Sequence, residues 1–186
     1  MKSRYPRMLT STRFTILTTV LLNVGWANLA QAQWPDPNVY YKIKSRWGSC
    51  LDMRRINRAK VGSCADVSRE YWRFTPMGNG FFHLTTLAWG RGMCLDVGGA
   101  DNTSILLTPC ANSSGQLWRV IGGPIASRIS DPASVRLTTK LRGSGWCLRQ
   151  GHYNLAYLGS CQDKYERQSW YLRRTNLEVN WLTRKE

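Results

Sequence analysis

The chain has few of the residues from which most enzymes and metal centres are built. Among 186 residues there are two histidines, His83 and His152, and 11 acidic residues with no obvious pair. Glycoside hydrolysis needs two facing carboxylates and nucleophilic catalysis needs a positioned base, so no enzyme is expected. There is no C-x-x-C pair, and the histidines sit in unrelated contexts, so neither a zinc site nor a cofactor is expected. Past residue 32 no apolar run approaches the roughly 20 residues that span a bilayer. No segment there keeps a helical period, which leaves an all-β reading. Basic residues are abundant but scattered, without a compact run of five or six. Their surplus suits polyanions in general, and nucleic acid is not the expected partner.

What is present begins with an export signal. Lys2, Arg4, Arg7 and Arg13 precede the apolar run Phe14–Leu22, and Ala30-Gln31-Ala32 reads as a cleavage site. Residues 1–32 are therefore expected to be removed, leaving Gln33 as the new N-terminus of a secreted, extracellular or periplasmic protein. The leader holds four basic residues and no acidic one, so the net charge of +15 falls to +11 in the 154 residues that remain. That length suits one domain with one core. All six cysteines lie in this part, an even number in an exported chain, so disulfides are expected.

The decisive feature is internal repetition. Cys50-Leu51-Asp52 is followed by Gly62-Ser63-Cys64 and Tyr71-Trp72. Cys94-Leu95-Asp96 is followed by Cys110 and Gln116-Leu117-Trp118, and Cys147-Leu148-Arg149 by Gly159-Ser160-Cys161 and Gln168-Ser169-Trp170. Cysteine spacings are 14, 16 and 14, and the first cysteine precedes its tryptophan by 22, 24 and 23 residues. A strand-like stretch opens each copy, at Val39–Lys44, Gly80–Thr85 and Ser134–Thr139. Six cysteines allow fifteen connectivities, and spacing alone does not choose among them. If each copy is one structural unit, the simplest pairing is local: Cys50–Cys64, Cys94–Cys110 and Cys147–Cys161. Trp72, Trp118 and Trp170 are expected to meet in a shared core, burying area that one short repeat cannot bury alone.

Cys-Leu-Asp, a second cysteine and Gln-x-Trp, repeated three times over Val39–Leu172, resemble the ricin B-type lectins, the QxW family. The resemblance implies a β-trefoil of three pseudo-repeats, with twelve strands arranged as a six-stranded barrel closed by three hairpins. The domain is expected over 33–173, followed by a C-terminal tail over 174–186. The resemblance also implies a secreted carbohydrate-binding module with one shallow pocket per repeat, for galactose- or N-acetylgalactosamine-like or acidic sugars. The family's hydroxyl-accepting aspartate falls on Asp96 and Asp52, while the third copy has Arg149, which cannot accept a hydrogen bond. The family's Asn-Gln pair is Gly115-Gln116 in the second copy, and no copy has an aromatic residue two before its second cysteine.

The candidate carbohydrate-binding residues are thus Asp96, Gln116, Asp52, Asn102 and Trp89. Trp47, Trp146 and Tyr157 offer alternative aromatic faces, and Gln150–Asn154 is a polar loop with stacking groups. Asn102 and Asn112 also begin glycosylation sequons. The erosion of the pocket residues motivates an alternative: a non-catalytic targeting or assembly subunit of a toxin or surface complex, bound to a partner chain and using the tail as a docking arm. Recognition of anionic polysaccharide through the net charge is a third reading.

Overall fold

The computed structural model describes residues 34–122, 134–162 and 166–179. The expected leader, residues 1–32, lies outside the described residues, as does the end of the tail, 180–186. Among the described residues there is no α-helix, and no helix is long and apolar enough to cross a membrane.

Twelve strands are described. The first repeat holds β1 (Val39–Ser45), β2 (Ser49–Arg55), β3 (Arg58–Ser63) and β4 (Trp72–Gly78). The second holds β5 (Phe81–Thr86), β6 (Met93–Gly98), β7 (Ser104–Pro109) and β8 (Trp118–Gly122). The third holds β9 (Val135–Thr139), β10 (Trp146–Gln150), β11 (Ala156–Ser160) and β12 (Trp170–Glu178). The first and fourth strands of every repeat run in the order β12-β9-β8-β5-β4-β1, and β12–β1 pairing closes them into a six-stranded barrel. The second and third strands form the hairpins β2–β3, β6–β7 and β10–β11. This is the β-trefoil expected from the repeats.

The core forms because equivalent positions of each repeat point inward. In β1 the side chains alternate buried and half-buried, as strand geometry requires of a sheet with one face on a core. Leu51, Leu95 and Leu148, each directly after a first cysteine, are fully buried, as are Ile43, Leu84 and Leu137 of the barrel strands. Trp72, Trp118 and Trp170 are also fully buried, and their indole N–H groups donate to Leu51 O at 3.0 Å, Leu95 O at 2.7 Å and Leu148 O at 2.8 Å. Each bond ties the start of a barrel strand to the hairpin of its own repeat.

The disulfides are Cys50–Cys64, Cys94–Cys110 and Cys147–Cys161, so each bridge stays within its repeat. Closing a loop of this size stabilises by about 3 kcal/mol in the chain-entropy account. The position two before each tryptophan adds a second clasp. Gln116 Oε1 accepts from Ala111 N at 2.7 Å and Gln168 Oε1 from Gln162 N at 2.9 Å. Glu70 Oε2 accepts from Ala65 N at 2.8 Å. In all three cases the donor is the residue after the second cysteine.

The last strand changes one expected boundary. β12 runs on past Arg173 and pairs with β1 as far as Glu178 opposite Val39, and Val179 N donates to Asn38 O at 2.7 Å. Residues 174–178 therefore belong to the barrel rather than to a free tail, because β1 supplies a long partner edge.

Glu70 is the one acid in the clasp position, and it is buried. Gln116 and Gln168 also donate through Nε2, to Pro109 O at 2.9 Å and Ser160 O at 2.6 Å, which a carboxylate cannot do. Burial pushes the Glu70 carboxyl above its ordinary range; the Ala65 N–H opposes this and the Asp52 charge adds to it. A carboxyl whose folded pKa is raised destabilises progressively as pH climbs from its unfolded to its folded value. Glu70→Gln should therefore raise stability by about 1 kcal/mol at pH 7, with the gain shrinking as pH falls toward about 4. Denaturant unfolding at the two pH values checks this, and an unchanged or lowered stability at pH 7 would contradict it.

Candidate functional site

The residue after each buried leucine is carried to the outer side of its hairpin, so Asp52, Asp96 and Arg149 hold equivalent frames. They face Lys60, Leu106 and Tyr157 across the hairpin. The three frames contain different chemistry.

In the second repeat the Asp96 carboxylate is half-buried and firmly oriented. Oδ1 accepts from Val97 N at 2.7 Å, and Oδ2 accepts from Thr108 Oγ1 at 2.7 Å and Gln116 Nε2 at 3.3 Å. Gln116 Nε2 also donates to Thr108 Oγ1 at 2.6 Å, so threonine, glutamine and aspartate form one network. A carboxylate offers about four acceptor positions, and these bonds leave capacity for one more donor. Gly115 makes the arrangement possible. A Cβ there would lie 2.3 Å from Asp96 Oδ1 and 3.0 Å from Val97 O.

In the first repeat Asp52 is 4% exposed and held by two arginines. Arg54 Nε lies 3.1 Å from Oδ2, and Arg69 Nε lies 3.0 Å from Oδ2 and 2.8 Å from Oδ1. Its acceptor capacity is directed at neighbouring cations, unlike that of Asp96. In the third repeat the Arg149 guanidinium stands 5.1 Å from the centroid of the Tyr157 ring. A Cβ at Gly159 would meet Arg149 Cδ at 2.6 Å, and one at Gly151 would meet Tyr157 Cε1 at 2.1 Å. Tyr157 is therefore packed between Arg149 and the Gly151 backbone.

The other sequence-derived candidates scatter. Trp89, which precedes Cys94 of the second repeat, donates its indole N–H to Met53 O at 2.9 Å and so flanks the frame of the first repeat. Asn102 sits at the turn of the β6–β7 hairpin with φ 52°, exposed, its N–H on Gly99 O at 3.1 Å. Trp146 lies under the Arg142 guanidinium, 3.8 Å from its ring centroid, whereas Trp47 is 53% exposed. Gln116 is buried and serves both the clasp and the Asp96 network.

Three contributors were not read from sequence. Thr108 stands two residues before the second cysteine, and its place opposite Cys94 in the hairpin is the signal that points it toward Asp96. Arg69 occupies the position of Gly115, one before the clasp residue. Arg142 is the equivalent of Trp89, since Trp89 N and Arg142 N donate to Thr86 Oγ1 at 3.3 Å and Thr139 Oγ1 at 3.4 Å.

One grouping among the described residues has metal-like spacing: His83, Cys94 and Cys110, with candidate ligand atoms within 4.8 Å of one another. Both sulfurs are committed to the Cys94–Cys110 disulfide, so they cannot serve as thiolate ligands. Burial lowers the His83 pKa, the Ala111 backbone opposing it, which favours the neutral ring.

Gly115→Ala should force Asp96 out of its network. Overpacking of this kind costs about 1–3 kcal/mol, and the Thr108 and Gln116 hydrogen bonds to Asp96 should be lost. Thermal unfolding and the side-chain NMR signals of Thr108 and Gln116 check this; wild-type stability with unchanged signals would contradict the geometry.

Comparison with known proteins follows the same lines. The profile of the family described as ricin-type beta-trefoil lectin domain matches residues 39–170. No curated protein matches the chain significantly in sequence. Among solved structures, the designed three-fold symmetric protein ThreeFoil is similar, with TM-score 0.56 and 22% identity over 72% of this chain and 97% of its own. The ricin B-like lectin of Macrolepiota procera, solved in complex with lactose, has TM-score 0.56 and 14% identity over 77% of this chain and 100% of its own. A chain of the cytolethal distending toxin from Actinobacillus actinomycetemcomitans has TM-score 0.58 and 15% identity over 78% of this chain and 97% of its own. With the threefold clasp, the local disulfides and the closed barrel, the match over 39–170 places the chain in the ricin-type β-trefoil lectin domain family.

Proposed function

We propose that the protein is an exported lectin module whose principal site is the second repeat, where Asp96 accepts a hydrogen bond from a hydroxyl of a neutral sugar of the galactose or N-acetylgalactosamine kind. One observation carries this reading: the Asp96 carboxylate is half-buried, fixed by Val97 N, Thr108 and Gln116, and keeps acceptor capacity. A pre-oriented acceptor loses little freedom on binding, which suits a shallow site of modest affinity. Gln116 acts as a positioning residue, since it is buried and reaches the ligand frame through Asp96 and Thr108. Useful avidity would then come from several sites in one chain or from a partner chain.

A second reading, an assembly subunit acting by protein contact, is favoured by the first and third frames. Asp52 is engaged by Arg54 and Arg69, and Arg149 stands where an acceptor is needed. In this reading those frames are surfaces for a partner chain of a toxin or surface complex.

Glycan-array screening of the protein lacking residues 1–32, followed by titration of the best neutral glycan, separates the two. Asp96→Asn should weaken neutral-glycan binding at least tenfold at both low and high salt, with the fold retained by circular dichroism. Undiminished binding in Asp96→Asn would remove the second repeat as the site. Absence of any glycan binding, with a second chain co-purifying, would favour the assembly reading.

A further inference from the structure

The surface of the β2–β3 hairpin holds a concentration of positive charge that the Asp96 site does not use. Arg54, Arg55, Asn57, Arg58 and Lys60 line a cavity of about 570 Å³. All five side chains are exposed. Arg55 and Arg58 are directly opposite each other across the Ile56-Asn57 turn. Like charges in that position oppose hairpin formation, and four cations within seven residues add to it. Asp52 is the acid beside them, and it is shared between Arg54 and Arg69. Among the described residues no carboxylate is paired with Arg55, Arg58 or Lys60.

The hairpin is nevertheless held firmly. Met53, Ala59 and Val61 are fully buried beneath it, Leu107 N donates to Ile56 O at 2.6 Å, and Lys60 bridges to Leu155. The cations are thus mounted on a backbone fixed by all three repeats. A smaller cavity of about 190 Å³ shares Arg54 and Lys60 and is completed by Asp52, Val61, Gly62, Tyr153 and Asn154. Tyr153 is 92% exposed at φ 55°, followed by Asn154 at φ 58°. A bulky residue in the left-handed region is strained, and the Gly151 N to Leu155 O bond at 2.7 Å closes the loop that holds it there. The result is an aromatic ring presented to solvent at the rim of an arginine-lined groove.

We propose that this groove is a second ligand site, specific for acidic saccharides: a sulfate ester or carboxylate seats between Arg55 and Arg58, with Arg54 and Lys60 alongside, and the attached sugar ring packs on Tyr153. Guanidinium groups match such oxyanions in charge and in paired N–H geometry. An anion between Arg55 and Arg58 also removes their mutual repulsion. Asp52 is here a positioning residue that orients Arg54 from below. The choice of a saccharide rests on the carbohydrate-binding reading above; the groove itself rests on the hairpin.

Titration with a heparin-derived hexasaccharide, lactose, inorganic sulfate and a single-stranded oligonucleotide tests this, using wild type, Arg55→Ala/Arg58→Ala, Tyr153→Ala and Asp96→Asn. The hexasaccharide should bind wild type with affinity that falls steeply with salt. It should lose at least tenfold in the double arginine variant and about threefold in Tyr153→Ala, and be unchanged in Asp96→Asn. The arginine variant should unfold at or above the wild-type temperature, since it relieves repulsion, so lost binding cannot be ascribed to misfolding. Sulfate should raise the unfolding temperature of wild type more than that of the arginine variant. Undiminished hexasaccharide binding in the arginine variant overturns the site. Equal affinity for the oligonucleotide, or no effect of Tyr153→Ala, overturns its saccharide specificity. Neutral-glycan binding lost in Asp96→Asn, with no arginine-dependent acid binding, sinks this inference alone. Absence of binding to any glycan sinks the lectin reading with it.

Discussion

The bond from a buried indole N–H to the carbonyl of the leucine after each first cysteine is the constraint on which the rest depends. It is made three times, by Trp72, Trp118 and Trp170, and each time it joins the fourth strand of a repeat to its second. A leucine carbonyl or indole left unpaired at these positions would cost about 1–3 kcal/mol, because no water reaches them. The disulfide and the Gln or Glu clasp work on the same segment, fixing the chain at the second cysteine and the residue after it. With that leucine fixed, strand alternation turns the next residue outward. The frame holding Asp52, Asp96 or Arg149 is therefore placed by the core, whatever residue fills it.

This division explains what the sequence made legible. Cysteines, leucines and tryptophans recur because the fold needs them in every copy, and their spacing in one dimension reports a geometry repeated in three. The clasp could be read as part of the Gln-x-Trp pattern, with Glu70 as its one departure. The site was less legible because its walls come from other repeats. Trp89 looks like a neighbour of Cys94, yet its indole is bonded to Met53 of the first repeat. Tyr153 belongs to the third repeat and lines a cavity with Asp52 and Lys60 of the first. Periodicity cannot report such pairings, since each occurs without an equivalent in the other copies. The extension of β12 to Glu178 was hidden for a different reason: its pairing with β1, the counterpart of β4–β5 and β8–β9, joins segments from opposite ends of the chain.

Charge was also misleading in linear form. Arg54, Arg55, Arg58 and Lys60 are interrupted by Ile56, Asn57 and Ala59, so they do not read as a basic run. A hairpin changes their spacing, because strand reversal places Arg55 opposite Arg58. Cross-strand like-charge pairs oppose folding by a few tenths of a kcal/mol to about 1 kcal/mol. The buried Met53, Ala59 and Val61 beneath the hairpin outweigh that, each full burial of a larger apolar side chain being worth about 1.5–3 kcal/mol. The fold can thus carry Arg55, Arg58 and Lys60 at this tip with no carboxylate partner among the described residues.

Because the three frames are equivalent in backbone and independent in side chain, change in one has little effect on the others. Replacing an aspartate by Arg149 removes an acceptor, but the Trp170 bond to Leu148 and the Cys147–Cys161 bridge remain. Enclosing Asp52 between Arg54 and Arg69 likewise leaves the Trp72 bond intact. The second frame keeps its acceptor partly because position 115 is glycine, which leaves room for the carboxylate, where the first repeat has Arg69. The acid held open by Thr108 and Gln116 in the second repeat is thus set apart from the one neutralised by Arg54 and Arg69 in the first. Threefold repetition makes the fold uniform, and the side chains around each frame make the sites unequal.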